Sequence, residues 1–231
     1  MTEDKSKSLA IHHNNSLARV ERSIAITNKL LSIIDDTVTD IDGNVHKTVK
    51  IGNQTWMAEN LKVTHYRNGD PIPTGFSDEE WASLNVGAYC FYDDDPKNIE
   101  VYGNLYNLSS VIEDRILAPN GWHIPTHQEW LELVDYLGGA GIIGGILKEK
   151  GVDLWNRPNR GALNEVGFAA RPGGDRGSDG NYSCIGSEGI FWSTTKNYCF
   201  HSNGPNLLYM SEGNPKTWIG LRGFSVRCIK D

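Results

Sequence analysis

The sequence of 231 residues contains no long hydrophobic run, and no stretch approaches the roughly 20 apolar residues that span a bilayer. Its polar N-terminus, MTEDKSKSLAIHHNNS, also lacks the apolar core of a secretory signal. As written, the chain is therefore expected to have no membrane span and to lie in the cytoplasm. A secreted or surface location is expected instead if a leader was removed.

Basic charge and paired cysteines are also scarce. Lys and Arg total 22 against 29 Asp and Glu, and the net charge of −7 argues against a nucleic-acid partner. The cysteines, Cys90, Cys184, Cys199 and Cys228, form no C-x-x-C pair, which argues against a zinc knuckle. Their even number permits disulfides, but free buried thiols are the expected state in a reducing compartment.

The motifs of several common enzyme classes are missing. The phosphate-binding pattern G-x-x-x-x-G-K-[ST] and the nucleophile motif G-x-S-x-G do not occur. G-x-G-x-x-G occurs once, at residues 139–144, but there it follows a predicted helix and not a strand, so it does not predict a nucleotide site. His123 precedes the predicted helix that His127 opens, so the two do not share one helical face as a zincin pair does. Cys199 and His201 can face the same way on a strand, but they have no identifiable catalytic partners. No motif therefore requires catalysis.

Residues 1–36 differ in pattern from the rest of the chain. From Ser16 to Ile34 no Gly or Pro occurs, and mostly apolar residues recur at spacings of three and four: Leu17, Val20, Ile24, Ile26, Thr27, Leu30, Leu31 and Ile34. This spacing predicts an amphipathic helix. It either packs on the domain that follows, or it is an association segment that pairs with a second copy or docks onto a partner. We assign residues 1–36 to this segment and residues 37–231 to a globular domain.

The globular part has the pattern of a turn-rich β protein. Its 25 glycines, with frequent Asn and Trp, predict many turns and short strands. TVTDIDGNVHKTVKIG predicts a hairpin around a DGN turn, although Asp40, Asp42 and Asn44 imitate the start of a calcium loop. Three adjacent carboxylates, those of Asp93, Asp94 and Asp95, could bind a hard cation, but the simpler interpretation is a loop whose charges are solvated. Calcium stays an open alternative as a cofactor, with no ligand set assigned.

Two helices and a closing strand complete the pattern. In GWHIPTHQEWLELVDYLGG, Thr126 and Glu129 form a capping box before the apolar stripe of Trp130, Leu133, Val134 and Leu137. AGIIGGILKEKG predicts a second, shorter helix. GFSVRCIKD alternates as a half-buried strand, with Phe224, Val226 and Cys228 inward and Ser225 and Arg227 outward.

Six phrases follow one another along the chain: DIDGNVHKTVKIGNQTWMAENLKVTHYRNGDPIP, YGNLYN, GWHIPTHQEWLELVDYLGG, FAARPGG, FWSTT and GFSVRCIKD. In this order, they resemble the Fibrobacter succinogenes major paralogous domain family. The resemblance spans roughly Val38 to Asp231. That family is similar to the formylglycine-generating-enzyme branch of the C-type lectin fold. The resemblance implies an α+β, C-type lectin-like domain with many short strands and two main helices. Its N- and C-terminal strands would lie close together.

The resemblance also bears on function. The formylglycine-generating enzyme holds copper with a pair of nearby cysteines, and this sequence lacks that close C-terminal pair, so catalysis is not carried over. The same fold is the scaffold of variable proteins made by diversity-generating retroelements, which display side chains on a C-terminal segment rich in Asn, Tyr, Ser and Asp. By analogy, residues 195–222 would form a recognition surface held by flanking strands at 191–193 and 223–229.

The expected function is therefore a non-enzymatic module that recognises a protein or a glycan. The residues expected to face the ligand are Tyr198, His201, Asn203, Asn206, Tyr209, Asn214, Trp218 and Arg222. Tyr and Trp supply contact area at low entropic cost, and Asn supplies adaptable hydrogen bonds. Alternatives are a polar loop whose aromatic residues pack inside the domain, a copper oxidase of the formylglycine-generating type, and a structural or assembly protein.

Overall fold

The computed structural model describes residues 37–194, 196–201, 203–212 and 220–231 of the chain. Residues Val38–Asp231 form one compact unit. The helix predicted within residues 1–36 lies outside the described residues. Among the residues that are described, no helix combines the length and the apolar character needed to cross a bilayer.

The described residues adopt a mixed α+β fold in which short strands predominate, as expected. The strands are β1 Thr37–Thr39, β2 Val45–Ile51, β3 Gln54–Met57, β4 Tyr89–Cys90, β5 Leu105–Tyr106, β6 Trp122–His123, β7 Gly173–Arg176, β8 Tyr182–Ile185, β9 Glu188–Trp192, β10 Lys196–His201, β11 Leu207–Glu212 and β12 Ile229–Lys230. The helices are α1 Asp78–Trp81, α2 Lys97–Tyr102, α3 Leu108–Val111, α4 His127–Tyr136 and α5 Ile143–Leu147, with a 3₁₀ turn at Tyr92–Asp94.

Two five-stranded sheets and one two-stranded sheet organise these strands. The first sheet has the order β1-β2-β3-β12-β6, and Ile229 of β12 pairs with both Trp56 of β3 and His123 of β6. The second sheet has the order β11-β10-β9-β7-β8, and β4 pairs with β5. Strands from the beginning and the end of the domain thus lie side by side, which is the closeness that the sequence resemblance implied.

The turn between β1 and β2 explains the calcium-like spacing of its residues. Asp40 is buried, and its Oδ1 accepts hydrogen bonds from the backbone nitrogens of Asp42 at 3.1 Å and Asn44 at 2.9 Å. Its Oδ2 lies 2.7 Å from Nε2 of the buried His46. Burial alone would raise the pKa of Asp40, but the hydrogen bonds from His46 and Asn44 outweigh it and lower the pKa. The carboxylate therefore holds a hairpin turn, as the sequence predicted.

Helix α4 forms at its predicted position and has the predicted cap. Thr126 Oγ1 accepts a hydrogen bond from the Glu129 backbone nitrogen at 3.2 Å, and Glu129 Oε2 accepts from the Thr126 backbone nitrogen at 2.7 Å. The stripe of Trp130, Leu133 and Val134 is buried in the core. The shorter helix that was predicted next is α5.

The closing segment differs from its predicted half-buried strand. Regular pairing is confined to Ile229–Lys230, and Ser225 and Arg227, which were expected to point outward, have no exposed surface. The reason is that this segment has core on both sides. Phe224, Val226 and Cys228 pack in one hydrophobic cluster, whereas Ile229 belongs to a second cluster that contains Phe168 and Phe191.

Arg227 joins the closing segment to distant parts of the chain. Its Nε donates to Asn60 Oδ1 at 2.8 Å, its Nη2 donates to the Ala169 carbonyl at 2.7 Å, and its Nη1 donates to the Phe168 carbonyl. The guanidinium carbon lies 4.4 Å from the ring centre of Phe168 and 5.4 Å from that of Phe191. Burial lowers the pKa of Arg227 to about 9, so the side chain stays protonated at neutral pH.

A second link involves His123 of β6, the cap of α4 and the last residue. His123 Nε2 lies 2.8 Å from Glu129 Oε1, and its Nδ1 lies 2.6 Å from Asp231 Oδ1. Burial would lower the pKa of His123, but the hydrogen bonds to Asp231 and Glu129 outweigh it and raise the pKa. Conversely, burial would raise the pKa of Glu129, but its hydrogen bonds to Thr126 and His123 lower it.

Replacing Arg227 by methionine should destabilise the domain by about 3 to 5 kcal/mol, because the change leaves three buried or half-buried acceptors without a donor. Urea unfolding followed by tryptophan fluorescence measures this free energy. The matched control is Arg115→Met, since Arg115 forms partly exposed ion pairs with Asp70 and Glu113. This control should cost about 1 kcal/mol or less. Equal losses in the two variants would contradict the role assigned to Arg227.

The substitution His123→Gln should lower the free energy of unfolding more in mildly acidic than in alkaline buffer. A histidine whose folded pKa is raised stabilises the fold fully below its unfolded pKa of about 6.5. That contribution disappears as the pH rises through the folded pKa. Urea unfolding of both proteins across this range tests the prediction. If the difference in free energy of unfolding between the unchanged protein and His123→Gln does not change with pH, the imidazolium makes no electrostatic contribution.

Candidate recognition surface

Residues 203–206, between β10 and β11, are a described part of the predicted surface. β10 lies between β9 and β11 in the second sheet, and Phe200 pairs with Leu207 next to the loop. Within this loop, residues 203–206, hereafter the recognition loop, Asn203 and Asn206 are exposed. Both side chains therefore lie on the surface of the domain, and their contact with a ligand stays a prediction.

Hydrogen bonds from α5 and its surroundings hold the recognition loop in place. The Gly145 backbone nitrogen donates to the Pro205 carbonyl at 2.9 Å, and Lys148 Nζ donates to the Gly204 carbonyl at 2.9 Å. At the end of the loop, the Leu207 backbone nitrogen donates to the Ala140 carbonyl at 2.9 Å. The backbone that carries the exposed amides is thus fixed on both sides.

Two glycines of α5 permit this close approach. A Cβ atom on Gly144 would lie 2.5 Å from the Asn206 carbonyl oxygen and 2.6 Å from that of Pro205. A Cβ atom on Gly145 would lie 2.4 Å from the carbonyl oxygen of Gly161. Real Cβ contacts are longer than these distances, and backbone atoms cannot move aside as a flexible side chain can. Gly144 therefore lets the recognition loop pack directly on the helix, and Gly145 does the same for the backbone at Gly161.

Lys148 supports the recognition loop from inside the domain. Its side chain is buried, and besides Gly204 its ammonium group donates to the Arg160 carbonyl at 3.0 Å. The nitrogen also lies 5.2 Å from the ring centre of Trp155. Burial lowers the pKa of Lys148 to about 8. The ammonium group therefore holds the carbonyls of two loops from beneath.

Tyr198 is not part of the exposed surface, which corrects the sequence prediction for this residue. It is 2% exposed, and its ring stacks on Trp130 with centres 4.6 Å apart. Its hydroxyl oxygen is within hydrogen-bonding distance of His127 Nδ1. The physical reason is that Tyr198 and Phe200 face the second hydrophobic cluster, so this side of β10 belongs to the core.

Arg222 is half-buried and forms an ion pair with the buried Asp175. Its guanidinium carbon lies 5.5 Å from the ring centre of Phe224. Burial raises the pKa of Asp175, although Arg222 and Ser183 act in the opposite direction. Arg222 thus has a structural contact as well as partial exposure.

The other predicted ligand-facing residues are not placed by the structure. His201 and Tyr209 belong to β10 and β11, but their side chains lie outside the described part of the chain. Asn214 and Trp218 lie outside the described residues altogether. Of the eight predicted positions, the structure therefore brings Asn203 and Asn206 together on one exposed loop.

A family model described as the Fibrobacter succinogenes major domain matches residues 49–230. The chain belongs to this family. No curated protein and no solved structure gives a match. The matched region begins within β2 and ends in β12, so it includes Arg227, helix α4 and the recognition loop.

Sequence reasoning missed the supports of the recognition loop in this member of the Fibrobacter succinogenes major domain family. Lys148 lies in the charged stretch KEK, which is typical of a solvated surface and gives no sign of burial. The pair Gly144-Gly145 did carry a usable signal, since glycine inside a helical pattern often marks a close backbone approach. The ion pair of Asp175 with Arg222 joins residues 47 positions apart and has no local pattern.

The described cysteines of this family member are free thiols. Cys90 and Cys228 are buried, and burial raises the pKa of Cys90 to about 12 and also raises that of Cys228. Cys184 is half-buried, and the side chain of Cys199 lies outside the described residues. In the described part of the chain, no group of three or more His, Cys, Asp or Glu residues converges on a metal position, including Asp93–Asp95.

The substitution Gly144→Ala should destabilise the domain by about 1 to 3 kcal/mol, because its methyl group would overlap the Asn206 and Pro205 carbonyls. The sign of this stability change is informative, since alanine is otherwise more stable than glycine inside a helix by about 0.5 to 1 kcal/mol. Thermal unfolding measures the effect. The control is Gly141→Ala, where a Cβ would meet no atom within 4 Å. Unchanged or increased stability of Gly144→Ala would contradict the close packing of loop and helix.

Proposed function

We propose that this chain is a non-enzymatic ligand-recognition module built on a C-type lectin-like scaffold. The observation that carries the proposal is the recognition loop, whose exposed amides at Asn203 and Asn206 stand on a backbone anchored by Gly145, Lys148 and Ala140. Amide groups donate and accept hydrogen bonds, so they suit the polar surface of a protein or a glycan. Because the loop is already ordered, binding loses less conformational entropy.

In this proposal, His201, Tyr209, Asn214 and Trp218 would also contact the ligand. These residues would supply the aromatic contact area that two amides lack. The family analogy with variable proteins of diversity-generating retroelements suggests that the surface is diversified among related chains. Residues 1–36 would attach the module to a partner or to a second copy.

The chemistry of the described thiols favours recognition over copper-dependent oxidation. An oxidase of the formylglycine-generating type needs two nearby cysteine sulfurs that can ionise and hold copper. Cys90 and Cys228 are buried in different hydrophobic clusters, and burial raises the pKa of both thiols. Thiols of this kind are poor metal ligands, because the thiolate is the ligand form.

Selection from a random peptide library and binding to a glycan array, both with the full chain, test the proposed function. Ligands obtained in this way should bind the double variant Asn203→Ala, Asn206→Ala at least about tenfold more weakly, because truncating central contacts typically costs more than 1 kcal/mol. Titration calorimetry gives the dissociation constants.

The matched control is the double variant Asn85→Ala, Asn120→Ala, which removes two exposed amides elsewhere on the domain. It should retain the affinity of the unchanged chain. If the best ligands bind all three proteins equally, the recognition loop is not the binding site. Oxygen consumption that depends on copper and on Cys184 or Cys199 would support the oxidase instead.

A further inference from the structure

A second feature of the domain has the character of a binding site and shares no residue with the recognition loop. It is a cleft of about 560 Å³ between residues 74–80 and the segment from Phe91 to Asp94, hereafter the aromatic cleft. The half-buried rings of Phe76 and Phe91 line it, together with the carboxylates of Glu80 and Asp94. Its volume lies within the range of about 300 to 1,000 Å³ that ligand sites occupy.

Hydrogen bonds hold the walls of the aromatic cleft in place. Nη2 of the buried Arg176 donates to the Phe76 carbonyl and to Asp78 Oδ1, both at 3.0 Å. On the opposite wall, the Tyr182 hydroxyl donates to Asp94 Oδ1 at 2.8 Å. The Ser77 backbone nitrogen donates to Glu80 Oε2 at 2.8 Å within the cap of α1. The cleft is therefore formed before a ligand arrives, which lowers the entropic cost of binding.

The charge around the aromatic cleft is strongly negative. Carboxylates flank it on both sides: Asp78, Glu79 and Glu80 on α1, and Asp93, Asp94 and Asp95 at the 3₁₀ turn. Among the described residues, the buried Arg176 pairs with Asp78, and Lys97 follows the second carboxylate group in the sequence. Glu79 and Asp93 are exposed, and their carboxylates make no hydrogen bond or ion pair within the described residues. An anionic ligand would thus be repelled, and a cation would be attracted.

We propose that the aromatic cleft binds an arginine or lysine side chain of a protein partner. The ammonium or guanidinium group would lie beside Asp94 and Glu80, and the aliphatic stem would lie against the rings of Phe76 and Phe91. A cation over an aromatic face adds electrostatic attraction to this contact. Aromatic rings beside carboxylates match both halves of such a side chain, whereas a purely apolar ligand would bury carboxylates without a partner.

A labelled peptide, acetyl-Gly-Arg-Lys-Arg-Gly-amide, provides the probe, and fluorescence anisotropy with the full chain provides the readout. The unchanged chain should bind it saturably, and Asp94→Asn should raise the dissociation constant by about three- to fivefold through the loss of one ion pair. Phe91→Leu keeps an apolar side chain but removes the ring face, and should raise the constant by about two- to fivefold. Glu80→Gln serves as a second charge variant if Asp94→Asn disturbs the fold, since glutamine also fits the capping box of α1.

Two controls separate a defined site from general attraction to an acidic protein. Asp153→Asn removes an exposed carboxylate elsewhere and should leave the dissociation constant unchanged. The variant Asn203→Ala, Asn206→Ala should also bind the peptide normally, because this proposal does not depend on the recognition loop. Equal weakening by Asp94→Asn and Asp153→Asn would overturn the proposal. So would equal binding of a peptide that carries norleucine at the three basic positions.

Discussion

The buried guanidinium of Arg227 is the interaction on which the domain's architecture depends most. It connects the closing segment to Asn60 after β3 and to the carbonyls of Phe168 and Ala169 before β7. It also lies against Phe191 of β9, in the second sheet. Since a buried charge without acceptors would cost several kcal/mol, its three partners must be held in position for the chain to fold as it does. One side chain therefore links the end of the chain to both large sheets.

This fixed core has a direct consequence for the recognition loop. Phe191 and Phe200 make an edge-on ring contact across β9 and β10, and Tyr198 stacks on Trp130 of α4. The inner side of β10 is therefore part of the core, while the loop that follows it reaches the surface. Lys148 and Gly145 then fix the loop from the side of α5. Burial of the aromatic residues and exposure of the amides are two results of the same packing.

The sequence predicted the elements that are determined by neighbouring residues. The cap of α4 and the turn at Asp40 follow from residues at most six positions apart, so a local pattern was sufficient. Prediction failed for Tyr198, Ser225 and Arg227, which are buried by partners from distant parts of the chain. Alternation of polar and apolar residues predicts one solvent-facing side, whereas the closing segment has hydrophobic clusters on both sides. The anchors of the recognition loop were also missed, because Gly145, Lys148 and Ala140 are distant from the loop in the sequence.

Amide hydrogen exchange measured by NMR tests most directly whether the recognition loop is a fixed part of the domain. The decisive amide is that of Leu207, which donates to the Ala140 carbonyl, because the Gly145 amide is shared between the carbonyls of Pro205 and Ile142 and is also protected by its own helix. If the loop is anchored as described, the Leu207 amide should exchange nearly as slowly as the amide of Trp192, which donates to Ser225 inside the core. Exchange of Leu207 as fast as that of an open turn would show that the loop opens freely. That result would contradict a preformed recognition surface.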